Sequence, residues 1–249
     1  MGPRPLGMFV DAGACGGRWA ILPGMASSAE SFVRARLLAL GEWLFRQRSW
    51  TPIPVILVLV FCRLKESPDA ITWWPGLILI AAGEGLRLWG VAVIGKGSRT
   101  RGSGVARLVT SGPYAYVRNP LYLGNFLLTL GAACISELLW MVPVVVVLYL
   151  LQYVPIVLWE ERTLSGRFGE AYAAYRREVP RWLPRWRSQP AGTAAPAYQW
   201  RGAFWSERST FGVIAVLLVV MLAKEILYRR SSSSAVVSSS CSASSGASA

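Results

Sequence analysis

The stretch LLWMVPVVVVLYLLQYVPIVL at residues 138–158, followed at once by Trp159-Glu160-Glu161, decides the fold. It holds 21 residues without a charge. As a helix rising 1.5 Å per residue it is about 31 Å long, which matches the hydrocarbon core of a bilayer. Adjacent carboxylates at the end of such a segment are costly unless they meet water, a cation or a polar ligand. Glu137 alone separates this run from another apolar one at residues 121–136. The two read as antiparallel helices joined by a very tight turn.

Further apolar runs lie on either side. Residues 71–95 are long enough to span and begin with Trp73 and Trp74, suited to interface depth. Inside that run Glu84 and Arg87 are three apart and share a helix face, either as a self-neutralising pair or as a functional intramembrane charge. Residues 50–62 are short for a span, with Pro52 and Pro54 placed for a first turn. Residues 211–223 continue as a helix through Tyr228. The expected fold is all-α, an integral membrane bundle of four to five transmembrane helices. Composition agrees. The chain is 53% apolar and 16% charged, against about 25% charged for soluble proteins, and its mean hydropathy is +0.40.

The flanks differ from this core of residues 50–187. Residues 1–28 are rich in Gly, Ala and Pro, lack a convincing signal-peptide pattern, and read as a disordered extension; Met25 is a candidate start. In residues 29–48, Phe32, Leu37, Leu40 and Leu44 recur at helical spacing among Arg34, Arg36, Arg46 and Arg48. This is a basic amphipathic helix, lying on an anionic surface or packed on the bundle. Residues 188–230 form a linker and the last transmembrane helix. Residues 231–249, almost all Ser, Ala and Gly, read as a disordered tail.

Charge sets the orientation. Six arginines oppose three acids before Trp50, and the charges of residues 63–69 cancel. The loop carrying Lys96, Arg99, Arg101, Arg107 and Arg118 is strongly basic, and residues 160–208 hold nine arginines against five glutamates. The positive-inside rule places the N-terminus and these two loops in the cytoplasm, as for a bacterial inner-membrane protein. Arg229 and Arg230 dissent.

Several chemistries are excluded or disfavoured. There is no histidine, so His triads, His metal ligands and His proton shuttles are absent. The four cysteines form no C-x-x-C pair, and no metal site is expected. The net charge of +13 is explained by membrane orientation, not nucleic-acid binding, because no recognition module accompanies it. Gly95-Lys96-Gly97 and Gly102-Ser103-Gly104 follow a helix, not a strand, and do not make a dinucleotide fingerprint.

The two basic loops carry the candidate chemistry. The first ends in Ser111-Gly112-Pro113-Tyr114-Ala115-Tyr116-Val117-Arg118-Asn119-Pro120-Leu121-Tyr122-Leu123-Gly124. Gly-Pro and Asn-Pro are turn signals, and Pro120 suits the first position of a helix. A helix N-terminus beside an arginine suits an anion, although Arg118 snorkelling to the interface is an equally plain reading. The second loop opens with Glu160-Glu161, continues as an amphipathic helix through Leu164, Phe168, Tyr172 and Tyr175, and ends in Pro180-Arg181-Trp182-Leu183-Pro184-Arg185.

These two segments resemble the signatures of the isoprenylcysteine carboxyl methyltransferase-like family, relatives of the phospholipid methyltransferases. The first matches as GPY…VRNPLYLG, the second as EE-x-x-L-x-x-x-FG-x-x-Y-x-x-Y with PRWLPR after it. The LFRQRSWTPIP segment at residues 44–54 and the last helix resemble a bacterial branch that includes methyltransferases acting on the phosphate of lipid A. The family's commonest form has Arg-His-Pro where this chain has Arg118-Asn119-Pro120. Asn can hydrogen-bond a ligand but cannot shuttle protons near neutral pH.

The resemblance implies methyl transfer from S-adenosylmethionine to a lipophilic anionic acceptor, a carboxylate or lipid phosphate, at the cytoplasmic membrane boundary. It implies Arg118 and Glu161 as catalytic residues. Cofactor binding falls to Gly112, Tyr114, Asn119, Pro120, Tyr122, Gly124, Glu160 and Glu161. Arg181 and Arg185 are candidates for the acceptor. A phospholipid amine as acceptor, a related membrane reductase using NADPH, and a non-catalytic scaffold stay open as alternatives. Nothing in the sequence fixes the oligomeric state.

Overall fold

The computed structural model describes residues 23–48, 50–62, 70–95, 108–138, 140–185 and 198–245. The described residues are helical, with no strand among them. The helices are α1 (Pro23–Gln47), α2 (Ile53–Phe61), α3 (Ala70–Ile94), α4 (Pro120–Ile135), α5 (Met141–Glu178) and α6 (Trp200–Ser245), with a 3-10 turn at Gly112–Ala115. The chain divides into two units, Met1–Arg36 and Leu37–Ala249. In the first, Arg36 lies over the ring of Phe32, 4.9 Å from its centroid.

The second unit holds the bundle. Among the described residues three helices are long and apolar enough to cross a membrane: α3 from Trp73 to Ile94, α5, and α6 from Trp200 to Leu227. α4 is apolar but shorter, at 16 residues. α3 and α4 pack antiparallel through facing glycines. A Cβ at Gly76 would lie 2.9 Å from the Gly131 carbonyl oxygen, and one at Gly83 would lie 2.8 Å from that of Gly124. Small residues allow this close backbone approach, which drives helix association where lipid removes the hydrophobic effect between helices. The tight turn expected at Glu137 is present, with Glu137 at φ 61. The core on that side gathers Leu59 of α2, Ile80 of α3, Ile135 of α4, Met141 and Val145 of α5 and Met221 of α6.

The short run at residues 50–62 forms only the nine-residue helix α2. It nevertheless carries the chain across much of the bundle. Gln152 Nε2 donates to Thr51 Oγ1 at 2.6 Å, which fixes its start against α5. At its other end Lys224 Nζ, from the far part of α6, donates to the carbonyls of Val60 at 2.8 Å and Cys62 at 3.1 Å.

Two boundaries differ from the sequence reading. The backbone of α1 begins at Pro23, not 29, and that of α6 continues to Ser245, where a disordered tail is expected. No Gly or Pro interrupts the chain between Gly212 and Gly246, so nothing in that stretch breaks the helix that α6 begins. The glycine pairs of residues 95–104, apart from Gly95 itself, and the extension before residue 23 lie outside the described residues.

Candidate active site

Depth positions the site. Nineteen residues separate Met141, where α5 begins, from Glu160. At 1.5 Å each that is about 28 Å, so the carboxylate pair emerges where an approximately 30 Å hydrocarbon core ends. α5 then continues until Gly169, whose φ of 51 breaks the helix and turns its last residues.

The segment before α4 folds back onto that end of α5 and onto the strap beyond it, residues 179–185. The Arg118 amide donates to the Pro180 carbonyl at 2.9 Å, and the Arg185 amide donates to the Tyr116 carbonyl at 2.9 Å. Asn119 Nδ2 donates to the Arg181 carbonyl at 3.1 Å. Tyr175, buried on the last turns of α5, donates its hydroxyl to the Tyr114 carbonyl at 2.8 Å. These four bonds join two sequence motifs into one structure. Burial keeps the Tyr114 hydroxyl well above the ordinary phenol range and therefore neutral.

Glu161 lies at the centre and is only 6% exposed. Arg181 grips it as a fork, Nε to Oε1 at 2.9 Å and Nη2 to Oε2 at 2.7 Å. Arg118 approaches the other side, Nη1 to Oε1 at 2.9 Å. That contact is an ion pair without hydrogen-bond alignment, because Arg118 Nε and Nη1 have no hydrogen-bond partner although both are buried. Two guanidiniums thus surround one carboxylate, leaving an excess positive charge and free donors at Arg118.

Glu160 has different surroundings. The residue is half-buried, and desolvation of its carboxyl pushes its pKa up to about 7. The Tyr122 hydroxyl, from the first turn of α4, donates to it, and Arg48 lies within electrostatic reach. Tyr122 in turn packs on Tyr153 at 4.8 Å, and Tyr153 on Tyr149 at 4.6 Å. Trp182 from the strap closes edge-on against Tyr149 at 6.0 Å.

Of the predicted site residues, the structure brings Arg118, Asn119, Glu160, Glu161, Tyr122 and Arg181 together. Gly112, at φ 62, and Tyr114 form the buried 3-10 turn beneath them. Pro120 starts α4. Gly124 faces α3, against Gly83 and Arg87, so its observed contacts are those of helix packing. Arg185 is exposed, and its guanidinium caps the Glu178 carbonyl. Tyr175 and Arg48 were not singled out by the sequence. Tyr175 sits on an apolar helical face, and Arg48 is one of four arginines on α1 and its end.

The intramembrane pair also gains members. Arg87 lies 3.4 Å from Glu84 and binds Asn125 and Glu207, the last from α6. Thr210 donates to Glu207 at 2.8 Å, and Asn125 to the Tyr153 hydroxyl at 3.1 Å. The bland reading of Glu84–Arg87 as a closed pair is therefore too small: a polar network ties α3, α4, α5 and α6 together.

Comparison with known proteins places this architecture. Residues 71–171 match the family described as phospholipid methyltransferase. The chain is 34% identical over 156 residues to the cobalt-zinc-cadmium resistance protein CzcN of Cupriavidus metallidurans, a match covering 59% of this chain and 68% of that protein. It is 26% identical over 133 residues to the nickel-cobalt-cadmium resistance protein NccN of Alcaligenes xylosoxydans xylosoxydans, covering 53% and 61%. It is 34% identical over 131 residues to the protein-S-isoprenylcysteine O-methyltransferase of Rattus norvegicus, covering 46% and 42%. The match thus spans less than half of that last relative. No solved structure shows a significant match. The helical bundle, its two joined motifs and these similarities together show that the chain belongs to the phospholipid methyltransferase family, with the isoprenylcysteine carboxyl methyltransferases among its relatives, and is an integral membrane protein.

Proposed function

We propose that the protein is an S-adenosylmethionine-dependent methyltransferase acting on a lipophilic anion, a carboxylate or lipid phosphate, at the cytoplasmic boundary of the membrane. The observation that carries this reading is the convergence of Arg118, Arg181 and Tyr122 on the Glu160–Glu161 pair where α5 leaves the bilayer.

The donor set fits the cofactor. Glu160 is a half-buried residue whose carboxyl can accept bonds from ribose hydroxyls or the methionyl ammonium. Arg118 keeps buried donors unused, and its planar fork suits a carboxylate. When bound, S-adenosylmethionine supplies an electrophilic methyl group on a sulfonium.

The chain's own residues then have three tasks. Glu161 holds Arg118 and Arg181 in fixed positions, so both guanidiniums are oriented before any ligand arrives. Tyr122 fixes the rotamer of Glu160 through its hydroxyl bond. Asn119 ties the first motif to the strap and Tyr175 ties it to α5, which limits water around an attacking anion. No histidine is required. A carboxylate or phosphate is already anionic near neutral pH, so alignment and desolvation replace general-base catalysis.

The test is equilibrium binding of S-adenosylmethionine to detergent-purified protein, wild type against Glu160→Gln, with NADPH in parallel. Saturable binding weakened at least tenfold by the substitution is expected. Binding of NADPH alone would move the assignment to the reductases, and wild-type affinity in Glu160→Gln would remove Glu160 from the cofactor site.

A further inference from the structure

The N-terminal helix delivers a cation to the site from outside the two motifs. Gly41 is what lets it dock: a Cβ there would run into the Pro155 carbonyl oxygen and come within 2.9 Å of the Trp159 Cβ. One turn on, Phe45 packs on Trp159 with ring centroids 4.9 Å apart, and Leu44 joins Phe45 against the Tyr122–Tyr153 cluster. Thr51 then anchors the chain, donating to the Arg48 carbonyl at 3.3 Å and accepting from Gln152. Arg48 is thereby held beside the last turn of α5 before the carboxylate pair.

Its guanidinium lies over Phe45, 4.2 Å from the ring centroid, and the residue is half-buried. It makes no hydrogen bond and no ion pair within 4 Å among the described residues, although it acts electrostatically on Glu160, Tyr122 and Tyr153. Arg118 and Arg181, by contrast, each form an ion pair with Glu161. Counting the pair and the guanidiniums around it, three arginines face two glutamates, a surplus of one positive charge. A guanidinium stacked on an aromatic ring at a membrane boundary, with no hydrogen-bond partner among the described residues, is built for a planar or tetrahedral oxyanion.

We propose that Arg48 binds the anionic head of the lipophilic acceptor, so that the N-terminal helix supplies acceptor recognition while the two motifs supply cofactor recognition. The proposal rests on the methyltransferase reading and names the residue that selects an anion. It also accounts for why Arg48 is not closed off by Glu160: an oxyanion arriving beside it neutralises the surplus charge.

The experiment is calorimetric binding of dodecyl phosphate, laurate and uncharged dodecanol to the full chain in nanodiscs of zwitterionic lipid. S-Adenosylmethionine binding is measured on the same samples. In Arg48→Gln, affinity for at least one of the two anions is expected to fall about tenfold or more, the scale of a lost charge-assisted contact. Dodecanol and S-adenosylmethionine should bind as in the wild type, and Arg48→Lys should recover most of the anion affinity. Whether phosphate or carboxylate binds more tightly to the wild type identifies the head group. Unchanged anion affinity in Arg48→Gln, or wild-type protein that binds neither anion, overturns the proposal. So does a loss confined to S-adenosylmethionine, which would make Arg48 a counter-ion of Glu160 only. Failure of S-adenosylmethionine to bind the wild type at all would defeat the methyltransferase reading separately, leaving the anion measurements intact.

Discussion

Glu161 is enclosed by two guanidiniums, while Glu160, one residue earlier, meets a phenol in a desolvated setting with no guanidinium paired to it among the described residues. The difference predicts different phenotypes for the same substitution. Glu161→Gln leaves Arg118 and Arg181 facing each other without their carboxylate. Breaking a buried pair of this kind costs about 3–5 kcal/mol, so the melting temperature in detergent should fall clearly. Glu160→Gln replaces a desolvated carboxyl, whose charge burial already disfavours, with a neutral amide and should melt close to the wild type, its deficit appearing in cofactor affinity. Equal melting shifts in the two variants would show that the ion triad is not what holds the site. The same scale explains Asn119. Its side chain does one observed thing, donating to the Arg181 carbonyl, and a histidine ring can donate in its place. Asn119→His should therefore keep wild-type stability, while Asn119→Ala should lose about 1 kcal/mol in a denaturant titration. A destabilised Asn119→His would indicate that the strap tolerates only the amide.

Helix packing can be tested with glycines that look alike in sequence. Gly83 and Gly85 are two residues apart on α3. A Cβ at Gly83 would meet the Gly124 carbonyl at 2.8 Å, whereas one at Gly85 would meet nothing within 4 Å. Gly83→Val should force α3 and α4 apart and destabilise the protein by at least 1–3 kcal/mol. Gly85→Ala should be neutral or stabilising by up to about 1 kcal/mol, the helix propensity gained. Thermal melts of the two variants decide the matter, and an equal loss would contradict the packing of α3 on α4. This contrast also marks where sequence reasoning stops. The charge-free run at residues 138–158 and the Glu137 turn are legible because bilayer thickness and hydropathy act on local sequence. The glycine pairing is not, because which residues face a partner depends on the rotation of both helices. The two motifs were legible as candidates for the site. That Arg118 and Arg181 share one glutamate, and that Arg48 reaches the same place, depends on chain reversals separated by dozens of residues. Glu207 illustrates the same limit, since nothing local marks it as the partner of Arg87, 120 positions away.

Across the whole molecule, depth becomes the ordering principle. Arg48 stands beside the end of α5 that bears Glu160, and Thr51 meets Gln152, eight residues deeper on that helix. Eight residues are about 12 Å, and the nine-residue α2 adds about 13 Å. Together they carry the chain from the site side to the opposite side of the bundle, where Lys224 caps Val60 and Cys62. A helix too short to span by itself is thus expected to complete a crossing, because its approach already descends along α5. The consequence is topological. Cys62 is exposed and should label from the face opposite the Glu160–Arg185 strap. With Cys15, Cys134 and Cys241 replaced by serine, Cys62 should react with a membrane-impermeant maleimide in intact spheroplasts. A cysteine placed at exposed Arg185 in a background also lacking Cys62 should react only in inverted vesicles, as the basic loops require by the positive-inside rule. Labelling of both positions from one side would mean that α2 turns back instead of crossing. The approach along α5 would then serve only to hold Arg48 at the site.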